Sequence, residues 1–285
     1  MYPKMEGKIV LVTGGTNGIG LVTARELSRM GAHVIIVSHN KEKCATVAGA
    51  IQVETGYPVE FIVADLSSLA GIRQAAASFS ETHKYLHILV NNAGGFFYKR
   101  IVTPDGFEKT FALNHLNYFL LTNLLLELLK ISAPTRVVNV ASGSHVGARI
   151  NFGDLQAEKH YWGFRAYGQS KLANVLFTYE LSQRLEGTGV TVNALHPGYV
   201  DTGIPLNSGF LGLIAKLSAR LFAQKPDEGA QTSIFLAASP EVEGMTGKYF
   251  IECQPAESSP ESYDKSVAEK LWQVSVNLTG SVSNP

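Results

Sequence analysis

The sequence predicts an α/β fold: one domain built on a doubly wound parallel sheet, with helices on both faces. Three observations carry this. Short aliphatic runs alternate with segments of helical periodicity along most of the chain. The first run passes directly into a glycine-rich turn and then a helix. The chain has 285 residues, 45% of them hydrophobic, and no repeat, low-complexity tract or linker divides it, which suits a single sizeable core.

Ile9-Val10-Leu11-Val12 reads as a buried parallel strand. It runs into Thr13-Gly14-Gly15-Thr16-Asn17-Gly18-Ile19-Gly20, and a helix follows in which Val22, Ala24, Leu27 and Met30 recur at helical spacing before Gly31. Strand, glycine turn and helix together form a cradle for a pyrophosphate. The glycines let backbone approach closely, and the helix start offers free N–H groups and a positive dipole end. The plain alternative is a glycine-rich turn without a ligand. Val34–Val37 is the second strand. An NAD-binding chain is expected to end it with an acidic residue for the ribose 2′-hydroxyl; here Ser38-His39-Asn40-Lys41 follows instead. Nothing in it repels a 2′-phosphate, and His39, Asn40 and Lys41, with Asn17, are candidates to hold one. NADP(H) is therefore the expected cofactor and NAD(H) the alternative.

The third strand, Phe61–Ala64, ends at Asp65-Leu66. Asp65 either bonds an adenine amino group or caps the helix from about Leu69 to Phe79. The fourth strand, Ile88–Val90, leads into Asn91-Asn92-Ala93-Gly94-Gly95 and then Phe96, Phe97 and Tyr98. Open α/β sheets bind ligands at the carboxyl ends of their strands, so these aromatics either line a substrate pocket or pack under a loop. Gly106 to Lys130 reads as one long helix whose apolar surface, wider than one face, hints at an oligomer interface. Asn114 inside it needs partners, as a structural amide or as part of a site. Arg136–Val140 is the fifth strand and brings Ser142 to its carboxyl end.

Tyr161, Trp162 and Phe164 precede a helix carrying Tyr167-Gly168-Gln169-Ser170-Lys171 and running to Gly187. Four residues apart on a helix, Tyr167 and Lys171 share a face. A nearby ammonium favours the phenolate and lowers the tyrosine pKa, which makes the pair a general acid/base unit for a carbonyl oxygen. The sixth strand, Val190–Leu195, ends in a rigid turn from His196 to Thr202, with His196 read as a structural histidine. From Gly203 to Pro226 the pattern loosens, and an amphipathic stretch between Gly209 and Pro226 is open between a substrate lid, a membrane-surface helix and core. A helix from Glu228 to Ala238, a short strand Lys248–Ile251 and a polar helix Ser266–Leu278 close the chain.

Composition excludes other classes. Twenty-four basic residues balance 24 acidic ones, so no electrostatic argument for nucleic acid arises. Cys44 and Cys253 are the only cysteines, which suggests neither a disulfide framework nor a metal site and favours a reducing, cytoplasmic setting. Met1 to Gly7 reads as neither signal peptide nor anchor. Leu116 to Leu129 is interrupted by Asn117, Asn123 and Glu127, so no spanning membrane segment is expected.

Taken together, Thr13-Gly14-x-x-x-Gly18-x-Gly20, Asp65-Leu66, Asn91-Asn92-Ala93-Gly94, Asn114, Ser142, Tyr167-x-x-x-Lys171 and Pro197-Gly198 resemble, in order and spacing, the short-chain dehydrogenase/reductase superfamily. Asn139–Ser142, His196-Pro197-Gly198 and Pro260…Leu271-Trp272 are similar to its retinol dehydrogenase-like branch, although His39 stands where that branch tends to carry an arginine. The resemblance implies a Rossmann-type domain that transfers a hydride between NADP(H) and the carbonyl or alcohol carbon of an apolar substrate, retinoid-like, steroid-like or a simple aldehyde or ketone. It implies that Tyr167 exchanges the proton, Lys171 lowers its pKa and bonds the nicotinamide ribose, Ser142 bonds the substrate oxygen, and Asn114 holds a water linking Lys171 to solvent. Cofactor contacts are implied for Gly14, Thr16, Asn17, Gly18, Ile19, Gly20, His39, Asn40, Asp65, Leu66, Asn92, Ala93, Gly94, Tyr167, Lys171, Pro197, Gly198, Val200 and Thr202. It also implies a homodimer or homotetramer through the helices at 106–130 and 167–187. Two other classes stay in view: a non-catalytic dinucleotide-binding redox sensor, and a nucleotide-sugar epimerase or dehydratase on the same scaffold.

Overall fold

The structure, a computed structural model, describes residues 3–198 and 226–281. Its centre is one eight-stranded sheet in the order β3-β2-β1-β4-β5-β6-β7-β8. The strands are β1 (Ile9–Thr13), β2 (His33–Ser38), β3 (Val59–Val63), β4 (Ile88–Asn91), β5 (Thr135–Val140), β6 (Val190–His196), β7 (Lys248–Ile251) and β8 (Gln254–Ala256). The first seven pair in parallel, and β8 turns back antiparallel on β7. Strand order reverses between β1 and β4, the position at which such sheets open a crevice.

Alternation along the strands divides the core. Val10 and Val12 join Val34, Ile36, Val90 and Val138 under α1 (Gly18–Arg29) and α2 (Lys41–Thr55). Leu11, Ile35, Leu89 and Val137 face the other way, under α3 (Leu69–Thr82) and the helices that follow β4. Both faces of the central strands are buried, which is why they read as continuous aliphatic runs. β8 has no such signal in the sequence, since Gln254-Pro255-Ala256 is short and sits on the sheet edge.

Residues 106–130 are not one helix. A turn of helix α4 (Lys109–Phe111) runs into a π-helical turn at Ala112–Leu116. Then come α5 (Asn117–Leu124) and α6 (Leu126–Ile131), broken at Leu125. The broad apolar surface that suggested an oligomer interface is covered within the protomer. Phe119, Leu120, Leu121, Leu125 and Leu129 are buried among α3, the sheet and α7 (Gly163–Arg184). The last helix, α10 (Lys265–Thr279) in chain order after α8 (Pro226–Gly229) and α9 (Gln231–Ala238), is amphipathic rather than polar. Ala268, Leu271, Trp272, Ser275, Val276 and Thr279 form its buried stripe. Trp272 packs against Phe119 at 4.9 Å and Phe177 at 5.9 Å, ring centre to ring centre. Asp264 caps the helix by accepting from the Val267 N–H. Among the described residues no helix is long and apolar enough to cross a membrane.

Candidate active site

The carboxyl ends of β1 and β4 are locked together by side chains bonding to backbone. Thr13 Oγ1 accepts from the N–H groups of Asn92 and Ala93 at 2.9 and 3.0 Å, and donates to the Val90 carbonyl at 3.2 Å. Asn92 Nδ2 donates to the Thr13 carbonyl at 2.8 Å. A Cβ on Gly20 would lie 2.3 Å from Asn92 Nδ2 and 2.4 Å from the Gly14 carbonyl oxygen, so only glycine permits this approach. Gly18, at φ +51°, has open space where a Cβ would stand. The Asn17 side chain makes no capping bond to α1. An open helix start beside a glycine face fits an anionic pyrophosphate, with Gly14, Thr16, Asn17, Gly18, Ile19 and Gly20 around it. Below this edge a fully buried polar ladder aligns the strands with the helices: Asn91 Nδ2 donates to Thr122 Oγ1 and Asn139 Oδ1, and Asn139 Nδ2 donates to Thr178 Oγ1, each at 2.9 Å. Sequence reasoning passed over it. Its signal was an asparagine beside buried valines near the end of each of two strands.

At the end of β2, Thr16 Oγ1 donates to Ser38 Oγ at 3.0 Å, which fastens the glycine turn to this strand. His39 and Asn40 are exposed. Asn40 also caps α2, its Oδ1 accepting from the Lys43 N–H at 2.8 Å. Asp65 does not cap α3; Ser68 does, accepting from the Gly71 N–H. Asp65 instead folds onto Ser67, accepting from its N–H and Oγ at 2.9 and 2.7 Å. Partial burial pushes the Asp65 carboxyl up, but the Ser67 bonds, with Lys109 and His39 nearby, outweigh it and hold the pKa below the usual value.

Ser142, Tyr167, Lys171 and Asn114 converge at the end of β5. Tyr167 is half-buried, and the nearby Ser142 side chain favours its phenolate. Lys171, 3% exposed, donates from Nζ to the Val140 carbonyl at 2.9 Å, with Nζ 5.6 Å from the centre of the Tyr167 ring. Asn114 is fully buried in the π turn. Its Oδ1 accepts from the Gly95 N–H, and its Nδ2 donates to the Gly95 carbonyl and to Ser170 Oγ. The wide turn aims the amide at the β4 loop, where a Cβ on Gly94 would come 3.0 Å from Asn114 Oδ1 and 3.6 Å from Lys171 Nζ. Burial dominates both members of the Tyr167/Lys171 pair. Burial raises Tyr167 despite the opposing bond from Ser142, and burial lowers Lys171 to about 7. The same desolvation that weakens the phenolate also weakens the ammonium meant to offset it.

The aromatics divide. Phe96 lies against Tyr167 at 5.7 Å, Phe164 at 4.9 Å and Tyr98 at 4.7 Å, and the exposed Trp162 continues the cluster 5.8 Å from Phe164. Phe97 turns away beneath Lys109. Tyr161 ties loops together instead, donating from its hydroxyl to the Phe97 carbonyl at 2.7 Å. His145 carries a structural role that its sequence did not signal. Its Nδ1–H donates to the Ser142 carbonyl at 2.6 Å and its Nε2 accepts from the Ser259 N–H at 3.0 Å, joining the C-terminal segment to the site. His196 Nδ1 accepts from the Gly143 N–H at 3.1 Å, in keeping with a structural histidine. Pro197 and Gly198 follow β6 directly. Tyr199, Val200, Thr202 and the 203–226 stretch lie outside the described residues.

A parallel sheet with a glycine turn at its switch point, and a Ser/Tyr/Lys set beside it, defines a nicotinamide-dependent oxidoreductase fold. Residues 8–208 match the short chain dehydrogenase family, and the chain belongs to it. It is 44% identical to mouse retinol dehydrogenase 14, across 97% of this chain and 87% of that protein. It is 42% identical to human polyprenol dehydrogenase, across 98% and 87%. Among solved structures, the Pseudomonas aeruginosa RhlG/NADP active-site complex superposes with a TM-score of 0.71 at 32% identity, over 88% of this chain and 97% of that one. The chain is thus an NAD(P)-dependent short-chain dehydrogenase of the retinol dehydrogenase-like branch.

Proposed function

We propose that the protein is an NADP(H)-preferring enzyme of the cytoplasm that interconverts a carbonyl and an alcohol on an apolar, isoprenoid- or retinoid-like substrate. The carrying observation is the convergence of Ser142, Tyr167 and Lys171, with Phe96 packed against the Tyr167 ring and Tyr98 and Phe164 beside Phe96. The names of the retinol and polyprenol dehydrogenases support a long apolar chain, and the NADP in the RhlG complex supports the cofactor. When bound, the nicotinamide supplies or accepts the hydride. Ser142 and Tyr167 fix the substrate oxygen, and Tyr167 gives or takes its proton there. Lys171, anchored to the Val140 carbonyl, backs the tyrosine and bonds the ribose. Asn114 holds the β4 loop in place through Gly95. Ser38, His39, Asn40 and Lys41 receive the 2′-phosphate, with no acid at the end of β2 to repel it. The aromatic cluster shields the reacting carbon from water and selects apolar chains.

Loss of reduced-nicotinamide absorbance tests this, with NADPH and NADH side by side against aldehydes and ketones that include all-trans-retinal. Turnover with NADPH that disappears in Tyr167→Phe is expected. Equal use of NADH would refute the 2′-phosphate assignment. Tight NADPH binding without turnover on any carbonyl would point to a sensor.

A further inference from the structure

At the opposite, amino end of the sheet, three residues far apart in sequence meet. His33 opens β2, Glu60 lies on the edge strand β3, and His83 follows the last turn of α3. His33 Nε2 is 2.6 Å from Glu60 Oε1, His83 Nε2 is 3.7 Å from the same oxygen, and the three ligand atoms all lie within 4.8 Å of one another. The two imidazoles meet edge to face, 5.3 Å between ring centres.

We infer that His33, Glu60 and His83 form a site for one zinc-like divalent ion, which clamps the edge strand β3 to β2 and to α3. Two imidazoles and a carboxylate are a borderline donor set suited to Zn²⁺. Tetrahedral zinc with bonds of about 2.0–2.2 Å sets its ligands roughly 3.3–3.5 Å apart. The site reaches that spacing if His33 draws back from Glu60 by under about 1 Å and the two imidazole nitrogens, within 4.8 Å of each other, close to it. Both side chains are free to adjust, at 37% and 48% exposed, and they leave the fourth position to solvent. His83 is the fixed point. Its side chain is 8% exposed and its ring stacks on Phe79 at 4.8 Å. Its Nδ1 faces Thr82 Oγ1 at 2.8 Å, and that hydroxyl reaches the Ser78 and Phe79 carbonyls. This is the outer support a metal-binding histidine uses to fix its tautomer, with Nδ1 protonated and Nε2 offered. A lone His–Glu ion pair has no need of a second, buried imidazole supported in this way.

The test titrates Zn²⁺ into full-length protein, stripped with EDTA and dialysed, in competition with a chromophoric chelator. Wild type is compared with Glu60→Gln and with a His33→Asn/Glu60→Gln double variant, both altered at exposed positions that spare the fold. One equivalent is expected in wild type, weakened at least about tenfold in Glu60→Gln and lost in the double variant. Thr82→Val is expected to cost about 10–100-fold, the usual effect of removing an outer-shell partner. Zinc-edge absorption spectroscopy should report two imidazoles, and turnover should stay within twofold of wild type throughout. Zinc bound equally by wild type and the double variant, or by neither, would overturn the site.

Discussion

The two edges of the sheet handle ionisable groups in opposite ways. At the carboxyl edge, Lys171 is 3% exposed, and burial brings its pKa down to about 7 while it raises that of Tyr167. At the amino edge, His33 and Glu60 keep much of their surface in solvent. Desolvation disfavours the charged forms at the first edge. Solvent-facing donors converge at the second, where a dissolved ion can reach them. The two sets lie at opposite ends of the sheet's strands, the first beyond β5 and the second at β2 and β3.

That contrast is sharpest at Tyr167. Tyr167→Phe should lower turnover by about 10²–10⁴-fold, the span of a lost general acid/base, with the thermal midpoint within a few degrees of wild type. A variant retaining most of its turnover would break the contrast at its centre. Lys171→Met should also lose turnover, and it carries a second signature. The native Lys171 pKa lies near 7, against an ordinary value of 10.5. Between these the unfolded chain binds a proton that the native chain does not, so Lys171 makes stability rise with pH at up to about 1.4 kcal/mol per unit. Denaturant melts from pH 7 to 10 should show that slope in wild type and its loss in Lys171→Met.

Away from both edges, Trp272→Ala should cost about 3–5 kcal/mol of stability by opening a cavity against Phe119 and Phe177. Turnover of the folded fraction at low temperature should remain. His115 couples this helix to pH in the same direction, in the acid range. Burial holds its pKa near 3, and it meets Ser275 Oγ at 2.9 Å. The unfolded histidine takes up a proton below its ordinary 6.5 and the native one does not. Stability from this group is therefore present above pH 6.5 and is lost as pH falls towards 3. Acid melts of His115→Gln should be correspondingly flatter. The smallest expected effect is Glu60→Gln, silent in turnover and visible only as weakened zinc-dependent stabilisation.

What could be read from the chain was local in character. A strand buried on both faces is a run of aliphatic residues, and a phosphate turn is glycines in a fixed frame. Tyr167 and Lys171 share a helix, so their pairing is covalent geometry. The single-helix reading of 106–130 failed because the periodicity of apolar residues does not register the π turn that aims Asn114 at Gly95. The polar reading of α10 failed because serine, threonine and alanine supply half of its buried stripe.

The sequence alone settled the fold class, the glycine turn after β1 and the shared helix face of Tyr167 and Lys171, because each rests on neighbours within a few positions. Tertiary structure alone decided how much charge those residues keep. It also directed Phe96, but not Phe97, towards Tyr167, linked His145 to Ser259 across the molecule, and brought together His33, Glu60 and His83. These depend on burial and on contacts between distant segments, and no spacing along the chain encodes either.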